Sequence, residues 1–131
     1  MTNKKLGNSF ESVFCEILFQ QGFWSHNLAQ NQAGQPADVI AVRDGKSYLI
    51  DCKVCSRGRF PFSRIEDNQH TAMRAWQESG NGTGWFALKC KGHIFMLDND
   101  TLNALSKNQS SIGFEEMRTY GCELGEWVLF A

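Results

Sequence analysis

Hydrophobic residues in the segment 9–21 recur at intervals of three and four positions. This spacing puts them on one face of an amphipathic helix. Asn8 or Ser9 can cap the start of the helix, and Gly22 can end it. The residues of the apolar face are Phe10, Val13, Phe14, Ile17 and Leu18. The pattern therefore predicts a first helix that packs one face against a core.

Two segments rich in Val, Ile, Leu and Tyr follow at residues 38–43 and 47–54. The dipeptide Asp44-Gly45 separates them, and Asp-Gly between such segments is a strong signal for a two-residue β-hairpin turn. Both strands carry apolar residues at odd and even positions alike, which is typical of strands in the middle of a sheet. The sequence thus predicts a central hairpin.

The two-residue turn also fixes which side chains face each other across the hairpin. Pairing continued outward from the turn places Asp38 directly opposite Asp51, with Cβ atoms about 4.5–5.5 Å apart. Lys53 follows Asp51 by two positions and therefore points to the same face of the sheet. We expect these three side chains to lie together.

Further helices and strands follow the hairpin. Residues 63–66 have the spacing of a capping box, which predicts a helix to residue 79 with one stripe facing inward. Its members are Ile65, Gln69, Met73 and Trp76. Other predicted segments are a strand in 23–29, loops at 31–36, 57–61 and 81–84, a second hairpin of 85–90 and 93–97 turned at Lys91-Gly92, a short helix capped by Asp98 or Asp100 and running through Leu105, and a buried stretch at 127–130, compatible with a strand.

This order of elements predicts a mixed β-sheet flanked by helices, in the α/β or α+β range. With 131 residues, the chain is expected to form one domain. It has no apolar run of the roughly 18 residues that a membrane span needs, and its first residues do not resemble a signal peptide. We therefore expect a cytoplasmic protein without a membrane partner.

Two groups of residues are expected to be structural. The five cysteines include one Cys-x-x-Cys, at Cys52 and Cys55, but no second pair at zinc-finger spacing, so buried thiols are the better interpretation. No ligand spacing links the histidines, and the tryptophans at three positions are expected in the core. These residues are His26, His70, His93, Trp76, Trp85 and Trp127.

Two facing carboxylates repel each other unless one takes up a proton or a cation binds between them. Mg²⁺ is typically held by one or two carboxylates together with waters and phosphate oxygens. A nearby lysine can orient an attacking water or stabilise charge on a phosphate. Asp38, Asp51 and Lys53 are thus candidates for cleaving a phosphodiester, whereas a loop aspartate beside a surface ion pair is the alternative.

These residues resemble a known pattern. Gly34-Gln35-Pro36-Ala37-Asp38, followed by Asp51-Cys52-Lys53, is similar to the motif of the PD-(D/E)xK nuclease superfamily, which has a restriction-endonuclease-like core. Gly7-x-x-x-Glu11 resembles the additional acid of its Holliday-junction resolvases. Phe60-Pro61-Phe62, with the helix and hairpin after it, resembles the RecU-type resolvases. The resemblance covers residues 5–105.

The resemblance implies roles for particular residues. Glu11, Asp38, Asp51 and the backbone carbonyl of Cys52 would hold Mg²⁺, with Mn²⁺ as a substitute. Lys53 would position the water, and Gln69 would line the same site. Asp51 stands where RecU-type enzymes usually carry Glu. The chain also lacks room for their stalk and lacks their basic arm, as compact archaeal resolvases do.

The function expected from the resemblance is a metal-dependent endodeoxyribonuclease that cuts branched DNA, as a homodimer, in recombination and repair. Because the net charge is −1, DNA binding requires a local basic patch. Arg57, Arg59 and Arg64 are the candidates for it. The alternatives are a restriction-like or repair nuclease with another substrate, and an inactive DNA-binding accessory protein of recombination.

Overall fold

A computed structural model describes residues 3–28 and 37–131, with side chains from Phe10 onward. The predicted loop at 31–36 lies outside these residues. No helix among them is long and apolar enough to cross a membrane.

The described residues form a mixed sheet of six strands and a second sheet of two. The large sheet has the order β1 (Trp24–Asn27), β2 (Val39–Arg43), β3 (Lys46–Val54), β5 (Trp85–Cys90), β6 (His93–Asp98) and β8 (Cys122–Glu123), and the small sheet pairs β4 (Arg59–Pro61) with β7 (Ser111–Gly113). Neighbouring strands are antiparallel except β3 and β5, which are parallel. The predicted mixed sheet is therefore confirmed.

Helices cover both faces of the large sheet. The helices are α1 (Asn3–Gln20), α2 (Asp67–Glu78), α3 (Asn99–Ser106), α4 (Phe114–Tyr120) and α5 (Leu124–Phe130). One core packs α1 and α5 against side chains such as Val39 and Ile50. The other packs α2, α3 and α4 against side chains such as Phe86 and Leu88. The sheet thus lies between two apolar layers.

The first helix is longer than its apolar pattern predicted. It begins at Asn3, so the predicted caps at Asn8 and Ser9 are wrong: both residues continue the helix. Gly22 has φ +90° just beyond the last turn, which confirms its predicted role in ending the helix. Phe14 is fully buried, as the predicted apolar face requires. Val13 was predicted on the same face but is 51% exposed.

The first hairpin has the predicted register. Asp44 and Gly45 have φ of 53° and 75°, the left-handed conformation that a type I′ turn requires. The pairing runs from Arg43 opposite Lys46 to Val39 opposite Ile50. The second hairpin turns at Lys91 and Gly92 in the same way, as predicted.

The capping box was predicted one turn too early. Residues 62–64 form a short 3₁₀ helix, and α2 has Glu66, not Ser63, at its N-cap. The reason is Gln69, whose side-chain Oε1 accepts a hydrogen bond of 3.0 Å from the backbone N–H of Glu66. The inward stripe is confirmed at Ile65, Gln69 and Met73.

Two other predictions need correction. Residues 59–61 are not a loop, since they form β4 and pair with a strand 52 residues downstream from Arg59. The stretch 127–130 belongs to α5 rather than a strand, and only its first half is buried. Trp127 is 1% exposed but Leu129 is 82% exposed, because a helix of this length turns one side to solvent.

Arg43 joins three parts of the chain. Its guanidinium donates to the carbonyl oxygens of Gln21 at 3.0 Å, Val128 at 2.5 Å and Ala131 at 2.6 Å. Hydrogen bonds from a charged group contribute about 1.5–3 kcal/mol each. We expect Arg43→Met to lower the free energy of unfolding by about 2–3 kcal/mol in urea titrations. Lys46→Met, at the paired exposed position, is the control, and equal effects would contradict the prediction.

Candidate active site

Asp38 is held opposite Asp51 by hydrogen bonds to the backbone of the two residues that flank Asp51, Ile50 and Cys52. The Asp38 N–H donates to the carbonyl of Ile50 at 3.1 Å, and Asp38 Oδ2 accepts from the Cys52 N–H at 2.8 Å. Asp38 directly precedes β2, so it continues the hairpin register by one position. The structure thus brings the two aspartates together as the turn predicted.

Asp51 is buried in the middle of the sheet, with 1% of its surface exposed. Lys53 Nζ lies 3.2 Å from Asp51 Oδ2, and Gln69 Nε2 donates to Asp51 Oδ1 at 3.1 Å. Since Gln69 Oε1 accepts from the N–H of Glu66, the start of α2 sets which end of the amide faces Asp51. Lys53 and Gln69 therefore lie at the site where they were expected.

Glu11 approaches the same group from α1. Its side chain is buried and forms a side-chain hydrogen bond with Asp38. Glu11 Oε2 and Asp51 Oδ2 are both buried and make no hydrogen bond to any described residue, although Asp51 Oδ2 has its ion pair with Lys53. Two buried carboxylate oxygens without hydrogen bonds are costly, and they indicate that the group is built for something besides stability.

The electrostatic setting favours uptake of positive charge or protons. Burial, then the charge of Asp38, raises the pKa of Asp51 well above its usual range, against the opposing effect of Lys53. Burial and the same aspartate raise the pKa of Glu11 to about 8. The charge of Asp38 acts on both Asp51 and Glu11 and only Lys53 opposes it, so a further cation or a proton would balance the group.

The donor set suits a hard divalent cation. Its side-chain donors are the carboxylate oxygens of Asp38 and Asp51, and the hydrogen bond from the Cys52 N–H to Asp38 puts the Cys52 backbone beside them. Mg²⁺ prefers such oxygen ligands over nitrogen or sulfur. Within residues 3–28 and 37–131, no three His, Cys, Asp or Glu side chains converge as a ready-made metal site. Because Mg²⁺ usually binds through one or two carboxylates and keeps several waters, Asp38, Asp51 and the Cys52 carbonyl suffice in kind and number.

The three predicted basic residues lie close to one another. A surface cavity of about 300 Å³ is lined by Ser56, Arg57, Arg59, Pro61 and Arg64. Arg64 is anchored by a 2.6 Å hydrogen bond to the carbonyl of Val54, on the strand that carries Asp51 and Lys53. The basic patch thus begins at the end of the active-site strand.

The residues expected to be structural have other partners. His70 contacts Asn99, His93 contacts Glu123, and His26 stacks on Trp24. Cys52 and Cys55 are buried in the two different cores, which confirms buried thiols for both. Trp127 is buried as predicted; Trp76 and Trp85 are half-buried.

Two neighbours of the basic patch could not be predicted from the sequence. Pairing of β4 with β7 brings Phe114 and Glu116 beside Arg59. These residues are more than 50 positions apart and share no periodic pattern, so only the fold shows the contact.

The fold and the arrangement of these side chains place the protein in the PD-(D/E)xK nuclease superfamily, as the sequence motif led us to expect. A family model described as archaeal Holliday junction resolvase (Hjc) matches residues 2–128. The chain belongs to that family.

Two individual comparisons support the assignment. The chain is 26% identical over 102 residues to a crossover junction endodeoxyribonuclease Hjc of Methanocaldococcus jannaschii, covering 78% of this chain and 72% of the relative. It is also similar in structure to Archaeoglobus fulgidus Hjc, a Holliday junction resolvase, with a TM-score of 0.71 at 16% identity over 93% of this chain and 99% of the other. The second match shows the fold alone.

The raised pKa of Glu11 predicts how stability depends on pH in EDTA. With its folded pKa near 8 and its usual value near 4.5, Glu11 binds its proton more tightly in the folded state. Its contribution is therefore present below about pH 4.5 and lost as pH rises through 8. The melting temperature should fall between pH 5.5 and 8.5, and less steeply for Glu11→Gln. Parallel curves for the two proteins would contradict the assignment.

Proposed function

We propose that this protein resolves four-way DNA junctions by Mg²⁺-dependent hydrolysis at the site of Asp38, Asp51 and Lys53. The observation that carries the proposal is the buried Asp51 carboxylate, which faces Asp38 and contacts Lys53 at 3.2 Å. A structural ion pair between Asp51 and Lys53 would not need a second acid facing it. A site that binds a divalent cation and a phosphate would need that second acid.

Asp38, Asp51 and the Cys52 carbonyl would hold Mg²⁺, with Glu11 reaching it directly or through water. When bound, the ion supplies charge neutralisation at a phosphate oxygen and lowers the pKa of a nearby water. Asp38 is already oriented for this role, because the Cys52 N–H fixes its Oδ2. Mn²⁺ prefers similar oxygen ligands and would substitute.

Lys53 would orient the attacking water and stabilise charge that develops on the phosphate. Its position follows from the ion pair with Asp51, which holds the ammonium on the face of the carboxylates. Gln69 would act as a positioning residue: its Nε2 holds Asp51 Oδ1 and leaves Oδ2 without a hydrogen bond. The five side chains thus have three roles: Glu11, Asp38 and Asp51 would be metal ligands, Lys53 would act at the phosphate, and Gln69 would hold Asp51 in place.

The basic patch would hold the DNA backbone. Arg57, Arg59 and Arg64 line one cavity, so they can contact neighbouring phosphates. Such contacts position the duplex without reading its sequence, which suits an enzyme that recognises branched structure.

The double variant Arg57→Ala, Arg59→Ala is expected to bind DNA more weakly and with less salt dependence. Each lost phosphate contact should lower the slope of log affinity against log salt by about 0.9 on duplex DNA. Affinity measured at several salt concentrations tests this. Metal binding should survive, because neither residue belongs to the carboxylate group. Arg74→Ala, exposed on α2 and outside this cavity, is the control. An unchanged slope and affinity would show that the DNA path lies elsewhere.

We also propose a homodimer. A four-way junction has two-fold symmetry, so symmetric cutting requires two active sites that a C2 dimer would supply. Exposed apolar side chains give the chain surface for such contact. They are Val13, Phe19, Trp24, Tyr120, Leu129 and Phe130. Light scattering should give twice the mass of the 14.8 kDa chain, and a monomer at assay concentrations would contradict the proposal.

The decisive experiment compares a four-way junction, a flap, a linear duplex and single strands, each with Mg²⁺ and with EDTA. We expect cleavage of the junction that requires the metal. Equal cleavage of another substrate would favour a restriction-like or repair nuclease, and absence of any cleavage would favour a DNA-binding accessory protein. A cytoplasmic location remains a prediction from the sequence.

A further inference from the structure

A second basic cavity adjoins the first one. Its volume is about 400 Å³, and Arg57 and Arg59 line both. Three parts of the chain form it: the turn at Gly58, the tip of the second hairpin at Lys91, and the start of α4 at Phe114. Arg64 lines only the first cavity, and Lys91 lines only the second.

Two glycines let cationic side chains lie against the backbone of this cavity. A Cβ atom on Gly58 would come within 2.8 Å of Lys91 Cε, and a Cβ atom on Gly113 within 2.8 Å of Arg59 Nη1. Both distances are too short for real contacts. A side chain at either glycine would displace the end of the flexible cation that lies against it, so the two glycines leave room for Lys91 and Arg59 to lie close to the backbone.

The ring of Phe114 makes cation–π contacts with two basic side chains, Lys91 and Arg118. Lys91 Nζ and the Arg118 guanidinium each lie 5.1 Å from the centre of its ring. The ring packs edge-to-face on buried Phe95 at 5.3 Å, and the Phe114 N–H donates to the Gly58 carbonyl at 3.1 Å. Cation–π contact on an anchored ring fixes the direction of the lysine.

The acids of the cavity do not neutralise it. Glu116 is occupied, because it accepts from the Gly113 N–H and from Gln109 and pairs with Arg59 at 3.7 Å. Glu115 is the other acid in the lining. Arg57 and Lys91 form no ion pair with any residue in 3–28 or 37–131, so both are available to an anion.

Lys91, at the tip of the second hairpin, has a backbone conformation that lysine rarely adopts. Lys91 has φ +50°, the left-handed region, in which Asn, Asp and Gly are favoured over other residues. The first hairpin uses Asp44 at the same position of its turn. A lysine in this place costs conformational energy, which indicates a role other than forming the turn.

We propose that this cavity is a second subsite for a DNA phosphate, with Lys91 and Arg57 as its cations and Phe114 as the support that aims Lys91. It would extend the DNA path from the Arg57–Arg59 pair to the tip of the second hairpin at Lys91. The inference rests on the proposed DNA substrate but not on the chemistry of the carboxylate site.

The test measures binding in EDTA to a linear duplex and to a four-way junction, at several salt concentrations. For Lys91→Gln we expect the salt slope on the duplex to fall by about 0.9. Lys46→Gln is the matched control, since Lys46 directly follows the turn of the first hairpin, and it should match wild type. Phe114→Leu retains the charges and an apolar side chain, and should weaken binding by a smaller factor.

An unchanged slope and affinity in Lys91→Gln would overturn the subsite, as would equal losses in Lys91→Gln and Lys46→Gln. Cleavage of the junction by wild-type protein with Mg²⁺ separates this result from the proposed function. If wild type cuts and Lys91→Gln binds normally, only the subsite fails. If wild type does not cut but Lys91→Gln loses salt dependence, the subsite stands and the nuclease proposal fails.

Discussion

Replacing Lys53 with alanine is expected to lower the single-turnover rate of junction cleavage by about 10³-fold, the scale of losing one group that stabilises transition-state charge. DNA affinity should stay within about twofold of wild type, because Lys53 is paired with Asp51 in the free protein and its charge is needed mainly in the transition state. The ammonium lies 3.2 Å from Asp51 Oδ2, at the carboxylate site rather than in the basic patch. Its effect should therefore fall on the transition state.

The control for this variant is Lys89→Ala. Lys89 is on the adjacent strand β5, paired with Val54, so its side chain points to the face opposite Lys53. Lys53→Arg retains the charge and should recover part of the rate if charge at this position is what matters. A Lys53→Ala protein that cuts at a rate near wild type would exclude a catalytic role for Lys53.

Asp51→Asn is expected to abolish binding of Mn²⁺ in isothermal titration and cleavage with it. The same change should not destabilise the metal-free protein, because burial already raises the pKa of Asp51 well above its usual range and asparagine resembles the neutral acid. In wild type, a metal at 100 times its Kd would stabilise the fold by about 2.7 kcal/mol. This increase in melting temperature should disappear in the variant.

Asp44→Asn provides the control, since Asp44 is an exposed turn carboxylate and asparagine also adopts its left-handed conformation. It should bind metal as wild type does. Retention of normal metal binding by a folded Asp51→Asn protein would contradict the assignment of Asp51 as a ligand.

Local chemistry made most of the site predictable. The Asp44-Gly45 turn set the pairing of the hairpin, and the pairing brought Asp38 and Asp51 together. Helical periodicity placed Glu11 on the first helix and Gln69 on the inner stripe of the next, but only the resemblance to the resolvases assigned these two residues to the site. Each of these inferences used residues within one element or one turn, where a few principles determine geometry.

The parts that could not be predicted depend on contacts between distant segments. The pairing of β4 with β7 joins distant residues, such as Arg59 and Gly113, so no local sequence pattern predicts it. The cap of α2 moved to Glu66 because Gln69 serves both the helix start and Asp51. Residues 127–130 had the apolar character of a strand but lie in α5, where tertiary packing of Trp127 decides the outcome.

The Asp44-Gly45 turn has a consequence for how the sequence can change over time. Exposed turns are normally the places where insertions are tolerated best. Here one added residue would shift one strand against the other, and since side chains alternate between faces, Asp38 would turn away from Asp51. A survey of insertions would therefore find this surface turn as intolerant for activity as the buried strands, while exchange at constant length would be tolerated for residues that adopt the left-handed conformation, such as Asn at position 44.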